Sequence, residues 1–310
     1  MPATSQTGFD LILSRTSLDR AGNRRHDPQL VASLISSPTT RVLEMYGERV
    51  RLTGAAATRL PLREPRPADE DGLVVFLGEI DGADLVCVIR DRADADDDQV
   101  VGLRQLGAQL HADDVSILVT AAGIANWHAT QGFCSFCGHR TVITEAGWAR
   151  HCNGCGKDHY PRTDPAVIMS VIDDDDRILL ARGHNFAGKG MSVLAGFVEP
   201  GESLEAAVAR EVMEEVGVPI TDARFLDNQP WPFPSSLMIG YTCHATETEL
   251  TIDPGEIARA RWFSREELAT CVAEGDVLLS PRLSIARHLI EHWYGGPIEQ
   301  PAEAAFLRRS

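Results

Sequence analysis

Two C-x-x-C pairs, Cys134/Cys137 and Cys152/Cys155, lie fourteen residues apart and constrain the fold more than any other feature of the chain. Each C-x-x-C turn can present two thiolates to one ion, and the glycines after Cys137 and Cys155 allow the tight turns this needs. Four thiolates close a tetrahedral Zn²⁺ and leave no open position for a substrate, so the spacing predicts a structural zinc held by a small ribbon. The competing reading, a redox dithiol, uses one pair near the start of a βαβ unit. Cys87, Cys243 and Cys271 are scattered, which excludes a disulfide framework and predicts a reducing, cytoplasmic setting.

On either side of the ribbon the 310-residue chain is long enough for separate domains, with 44% hydrophobic residues to build their cores. Its net charge of −16 argues against any broad attraction for nucleic acid or an anionic membrane. The N-terminus lacks the apolar core of a signal peptide, and no run of residues is long and apolar enough to predict a membrane span. Residues 1–125 read as a divergent N-terminal α/β domain: strands at LVVFLGEI and ADLVCVIR, an Asp-rich loop at 92–98, and an apolar helix near 113–128. Residues 126–162 form the ribbon. From 163 to 295 the pattern is α/β again. Strands AVIMSVI and RILLAR flank Asp173–Asp176, read as a turn of solvated charge, and strands LMIGYTCHA and ARWF follow. Helices are predicted near 265–274 and 282–293, and residues 296–310 read as a frayed tail.

The stretch GFVEPGESLEAAVAREVMEEVGV, residues 196–218, carries the chemistry. Glu211, Glu214 and Glu215 stand at i, i+3 and i+4, so a helix gathers three mutually repelling carboxylates on one arc with no lysine to offset them. Hard divalent cations prefer such oxygen ligands, and they are the usual means of bringing a nucleophile to an anionic phosphorus. A solvated acidic face is the bland alternative. The whole stretch, however, satisfies G-x5-E-x7-R-E-U-x-E-E-x-G-U (U aliphatic) from Gly196 through Glu202, Arg210 and Glu211 to Gly217 and Val218. It resembles the signature of the Nudix hydrolases, which cleave nucleoside diphosphates linked to another group.

A second array, NQPWPFPSS at 228–236, interleaves Trp231 and Phe233 with three prolines. It resembles the Q-P-W-P-F-P-x-S array of the Nudix NADH pyrophosphatases of the NudC type, which also remove NAD caps from RNA. A four-cysteine ribbon directly before a Nudix domain is likewise that family's architecture. The resemblance implies an α/β/α sandwich with a mixed sheet, hydrolysis of NADH or NAD⁺ to nicotinamide mononucleotide and AMP, action on the NAD-capped 5′ end of RNA, and a homodimer without membrane attachment. It implies Mg²⁺ or Mn²⁺ at Glu211, Glu214, Glu215 and Glu256 with Ala195 beside them, Glu215 assisting water deprotonation, and Zn²⁺ at the cysteines. Substrate contacts carried over are Tyr160, Ala195, Phe197, Gln229, Pro230, Trp231, Pro232, Phe233, Pro234, Ser235, Ser236 and Ala286. One departure stands out: where family members often carry a Glu thirteen residues after the first cysteine, this chain has Gly147, with Glu145 out of register. The alternatives are a broader dinucleotide or ADP-ribose pyrophosphatase, and a zinc-ribbon RNA-binding module with an inert Nudix domain. For RNA, Arg140, Arg150, Lys157 and Arg162 are candidate phosphate contacts on the ribbon.

Overall fold

The computed structural model describes residues 8–51, 59–92, 100–184, 186 and 188–300, and the chain divides into two compact units. The Asp-rich loop expected at 92–98 falls, apart from Arg92, outside the described residues, as do residues 301–310 of the predicted tail.

The described residues of the first unit fall within Ile12–Thr163 and Pro230–Ser235. Its elements are α1 (Leu30–Ile35), β1 (Arg41–Tyr46), β2 (Arg49–Arg51), β3 (Leu73–Ile80), β4 (Ala83–Arg90), β5 (Val100–Gly102), α2 (Leu103–Leu106) and α3 (Ala112–Thr130). Five strands pair in the order β3-β4-β1-β2-β5, with β1 parallel to β4 and the other pairs antiparallel. Strands β3 and β4 and helix α3 stand where the apolar patterns place them. Helix α3 continues to Thr130, so a boundary at 125/126 would cut through it. Its buried Asp114 accepts hydrogen bonds from Leu60 N (2.7 Å) and Arg59 Nε (2.9 Å). The ribbon is a separate three-stranded sheet of β6 (Thr141–Thr144), β7 (Ala149–Cys152) and β8 (Asp158–His159), ordered β6-β7-β8.

The second unit, whose described residues are 8–11, 164–229 (185 and 187 apart) and 236–300, is a three-layer α/β/α sandwich. Its strands are β9 (Asp164–Ile172), β10 (Ile178–Gly183), β11 (Gly190–Met191) and β12 (Leu194–Phe197), followed after helix α4 (Leu204–Val216) by β13 (Ile220–Trp231), β14 (Ser236–Ala245) and β15 (Ile257–Phe263). Helix α5 (Arg265–Ala273), β16 (Leu278–Leu279) and helix α6 (Ile285–Tyr294) complete it. The main sheet runs β13-β14-β9-β10-β15, with β12 also on β9, and is mixed because β14 lies parallel to β9. Alternation along β9 and β10 decides the layering. Val167, Met169, Val171, Leu179 and Ala181 pack with Val208, Val212 and Val216 of α4. Ile168, Ile178 and Leu180 pack against Leu268 of α5 and Leu289 of α6.

Within this unit the Asp173–Asp176 turn is only partly a solvated one. Asp173 is buried, and its carboxylate accepts from Asp175 N, Arg177 N and Arg177 Nε at 2.8–3.1 Å. Asp174, Asp175 and Asp176 keep the exposure expected of all four, although Asp176 pairs with Arg265.

Candidate active site

Most defined positions of the 196–218 motif have a mechanical task in the second unit. Ser203 caps α4 by accepting from Ala206 N at 3.2 Å, and Gly217 ends it in the left-handed region at φ 71°. A side chain at Gly217 would also collide with Thr251, its Cβ falling 2.8 Å from that of Thr251. At Gly196 a Cβ would lie 1.8 Å from the Glu211 carboxyl carbon, so only glycine lets that carboxylate rest against β12. Arg210 holds Glu202 with Nε to Oε1 and Nη2 to Oε2, and its Nη1 donates to Glu211 (2.8 Å) and Glu214 (2.9 Å). The stripe is therefore not uncompensated, as the lack of a lysine suggested. An arginine on the same helix takes part of its charge.

The compensation is uneven. Glu214 is well exposed and paired, and Glu211 is buried and paired. Glu215 is buried, and its Oε2 has no hydrogen-bond partner. Burial first, then the charges of Glu211 and Glu256, push its carboxyl from 4.5 up to about 8. Burial also raises Glu211, against the pull of Arg210. A cavity of about 490 Å³ brings Glu215 and Glu256 together with Ala195, His184 and Phe186. Phe197, at the end of β12, is 60% exposed. An unpartnered buried oxygen among hard donors, over a glycine cradle, fits a divalent cation.

Other expected contacts are placed differently. Gln229 is fully buried, with Nε2 donating to Leu283 O (3.0 Å) and Oε1 accepting from Ile285 N (2.8 Å). Its amide anchors the start of α6. Ala286 is buried in the apolar cluster beneath that helix. Ser236, half-buried, opens β14 opposite Asp164. The segment Pro230–Ser235 groups with the first unit, where Asn126 Nδ2 donates to Pro232 O at 2.8 Å and to Pro234 O at 3.3 Å. Trp231 and Phe233 meet edge-to-face at 4.9 Å, and the Arg104 guanidinium lies 4.1 Å from the Phe233 ring centre. Glu256 is expected from sequence, but His184 and the strap 250–255 that leads to Glu256 are not, although D-P-G-E is a recognisable turn signal.

In the ribbon, Cys134, Cys137, Cys152 and Cys155 bring their sulfurs within 4.8 Å of one another. Among the described residues, no carboxylate trio meets the same spacing. Phe136 N donates to Cys134 Sγ at 3.4 Å, and His159 Nε2 lies 3.3 Å from it, the kind of outer contact that steadies a ligating thiolate. Tyr160 is 59% exposed. Gly147 has φ 93°, and its Cβ would stand 2.8 Å from Val75, so no glutamate fits there. Glu145 does not take that position; its Oε1 lies 3.6 Å from His26 Nδ1.

Arg150, a candidate phosphate contact by its charge, is engaged within the first unit. Its guanidinium donates to Thr141 Oγ1 (2.7 Å), Thr141 O (3.3 Å) and His128 Nδ1 (2.9 Å), bracing the ribbon internally. Four thiolates around one Zn²⁺ would also leave two negative charges, offsetting the surplus of four cations over two acids between 134 and 162.

Comparison with known proteins matches two family models in this chain. The NUDIX domain family matches residues 162–283, and the NADH pyrophosphatase zinc ribbon domain matches residues 129–160. The NAD-capped RNA hydrolase NudC of Mycobacterium bovis is 38% identical over 305 residues, spanning 91% of this chain and 94% of that one. The human NAD-capped RNA hydrolase NUDT12 is 41% identical over 197 residues, 60% of this chain and 43% of that one. A NUDIX hydrolase structure from Nitrosomonas europaea is 22% identical, covering 53% of this chain and 94% of that one with a TM-score of 0.43. No helix among the described residues is long and apolar enough to cross a membrane.

Proposed function

Because the chain belongs to the NudC family of Nudix hydrolases, we propose that it hydrolyses the pyrophosphate bond of NADH and NAD⁺, and of the NAD cap at the 5′ end of RNA. The products are nicotinamide mononucleotide and either AMP or a 5′-monophosphate RNA. One observation carries the reading: Glu215 keeps a buried, unpartnered carboxylate oxygen in a carboxyl raised to about 8. Such a group is costly to the fold when the site is empty, and a divalent cation would relieve that cost and hold the carboxylate ionised.

Glu211, Glu215 and Glu256 would hold Mg²⁺ or Mn²⁺, with Glu214 at the exposed rim and Ala195 on the same cavity wall. The cation would supply electrostatic stabilisation for charge developing on the pyrophosphate oxygens. The protein's own groups do the rest. Glu215 Oε2 accepts a proton from the attacking water, whose oxygen forms the new bond to phosphorus while the bridging P–O bond breaks and its electrons leave with the departing phosphate. Arg210, anchored on Glu202, keeps Glu211 and Glu214 in orientation. Phe197 offers an open ring face on which a base stacks without sequence preference. The roles that the resemblance gives Tyr160, Ser236 and the 230–235 array, the homodimer, and a cytoplasmic location belong to the same proposal. So does the division between ribbon and hydrolase domain at 162/163.

Incubation with NADH, NAD⁺, ADP-ribose and NAD-capped RNA in ¹⁸O water, with products identified by mass spectrometry, tests it. Label is expected on a phosphate of AMP or of nicotinamide mononucleotide. Free nicotinamide with ADP-ribose would mean glycosidic cleavage and overturn the mechanism. Faster turnover of ADP-ribose than of NADH or NAD⁺ would favour the broader pyrophosphatase.

A further inference from the structure

Glu256 sits in an exposed turn, yet its charge reaches buried Glu215, so something must hold that turn against α4. Two fasteners are backbone bonds. Thr251 N donates to Val216 O at 2.8 Å and Asp253 N to Glu215 O at 3.0 Å, so the strap takes up carbonyls left open at the helix C-terminus. The turn is closed internally by Gly255 N to Asp253 Oδ1 (2.7 Å) and Ile257 N to Asp253 O (2.9 Å). On the far side, β10 and β15 slip register between Arg182 and Gly183, where Gly183 pairs with Ile257. The extra residue is Ala258 on β15, so the bulge bends that strand as it leaves the Asp253–Glu256 turn. On β10 the residue after Gly183 is His184, and its Nε2 lies 3.0 Å from Pro254 O, two residues before Glu256.

The geometry points to His184 as a positioning residue: through the Pro254 carbonyl it holds the Asp253–Glu256 turn so that Glu256 faces Glu215 across the cation site. This rests on the cation reading of the cavity given above. Among the described residues, the His184 contact is the fastener that joins the turn to β10 through a side chain. Truncating it leaves the α4 terminus and the strap's own bonds intact, so its effect is separable from folding. For Nε2 to donate, the ring carries its proton there, the tautomer that a carbonyl partner selects.

Calorimetric titration with Mn²⁺, in the absence of substrate, tests the assignment in the full-length protein. His184→Ala should weaken Mn²⁺ binding about two- to fivefold, the scale of one net hydrogen bond. His184→Gln, whose amide can still donate, should restore it, with Tm unchanged in both. In a Glu256→Gln background, His184→Ala should cause no further loss. Full Mn²⁺ affinity in His184→Ala, or equal losses in both backgrounds, would overturn the assignment, as would failure of glutamine to rescue. If Glu256→Gln binds Mn²⁺ like the unaltered chain, the cation reading itself falls; a loss there with none in His184→Ala removes only the role of His184.

Discussion

Arg210 grips Glu202 through two parallel hydrogen bonds, Nε to Oε1 at 2.8 Å and Nη2 to Oε2 at 2.9 Å. The same guanidinium donates to Phe197 O and to the two carboxylates that follow it on the helix. One cation thus joins the loop before α4, the end of β12 and the acidic face.

Replacing Arg210 with Ala should release all three. Charge-assisted bonds of this kind place the stability loss at about 2 kcal/mol, and misplacement of Glu211 should lower kcat about 10- to 100-fold. Lysine cannot form the paired contact, so Arg210→Lys should recover little of either. Urea denaturation and steady-state kinetics on both variants check this; wild-type kinetics in Arg210→Lys would show that the paired geometry is irrelevant.

Glu215→Gln should cost about 10²–10⁴ in kcat, the range for a positioned acid–base group. Its stability effect should be the reverse. Because the folded carboxyl titrates at about 8 and the ordinary value is 4.5, the metal-free chain is relieved of this cost below pH 4.5 and loses that relief as pH rises toward 8. Thermal melts of the metal-free protein should fall across that window, and Glu215→Gln should flatten the decline. An unchanged slope would remove Glu215 as its source.

Cys134→Ser or Cys152→Ser should lose the bound zinc and destabilise the ribbon, since metal binding at such a site is folding energy. Elemental analysis and melting curves read both effects. Retention of zinc and of stability when all four cysteines are replaced would defeat the ribbon assignment.

His128 gives the first unit a pH dependence of opposite sign. Its ring lies between Gly147 O, 2.9 Å from Nε2, and the Arg150 guanidinium, 2.9 Å from Nδ1. Burial, followed by the Arg150 charge, outweighs the carbonyl and lowers its pKa from 6.5 to about 4. The unfolded chain therefore takes up this proton first, and stability should fall as pH drops from 6.5 toward 4. Proton uptake on unfolding, measured calorimetrically at pH 5, should decrease in His128→Gln; equal uptake in both proteins would contradict this.

What the sequence determined by itself is whatever depends on spacing along a single element. The C-x-x-C pairs predict their own convergence, the 3.6-residue period puts three glutamates on one helical face, and period-two alternation marks β9 and β10. Strand β13 escaped because it is an edge strand: at Ile220–Trp231 it pairs only with β14 and needs no regular apolar alternation. The tertiary structure decided which member of each set does what. Glu211, Glu214 and Glu215 are chemically identical in sequence. Burial, and the approach of Glu256 from a separate loop, single out Glu215. Gln229 and Arg150 looked like ligand-facing groups, but partners at Leu283, Ile285 and His128 occupy them. The left-handed backbone of Gly147, pressed on Val75, excludes the glutamate that its position suggests. Desolvation and hydrogen-bond occupancy are set by residues distant in the chain, so local spacing determines where functional groups gather and only packing determines their charge and reach.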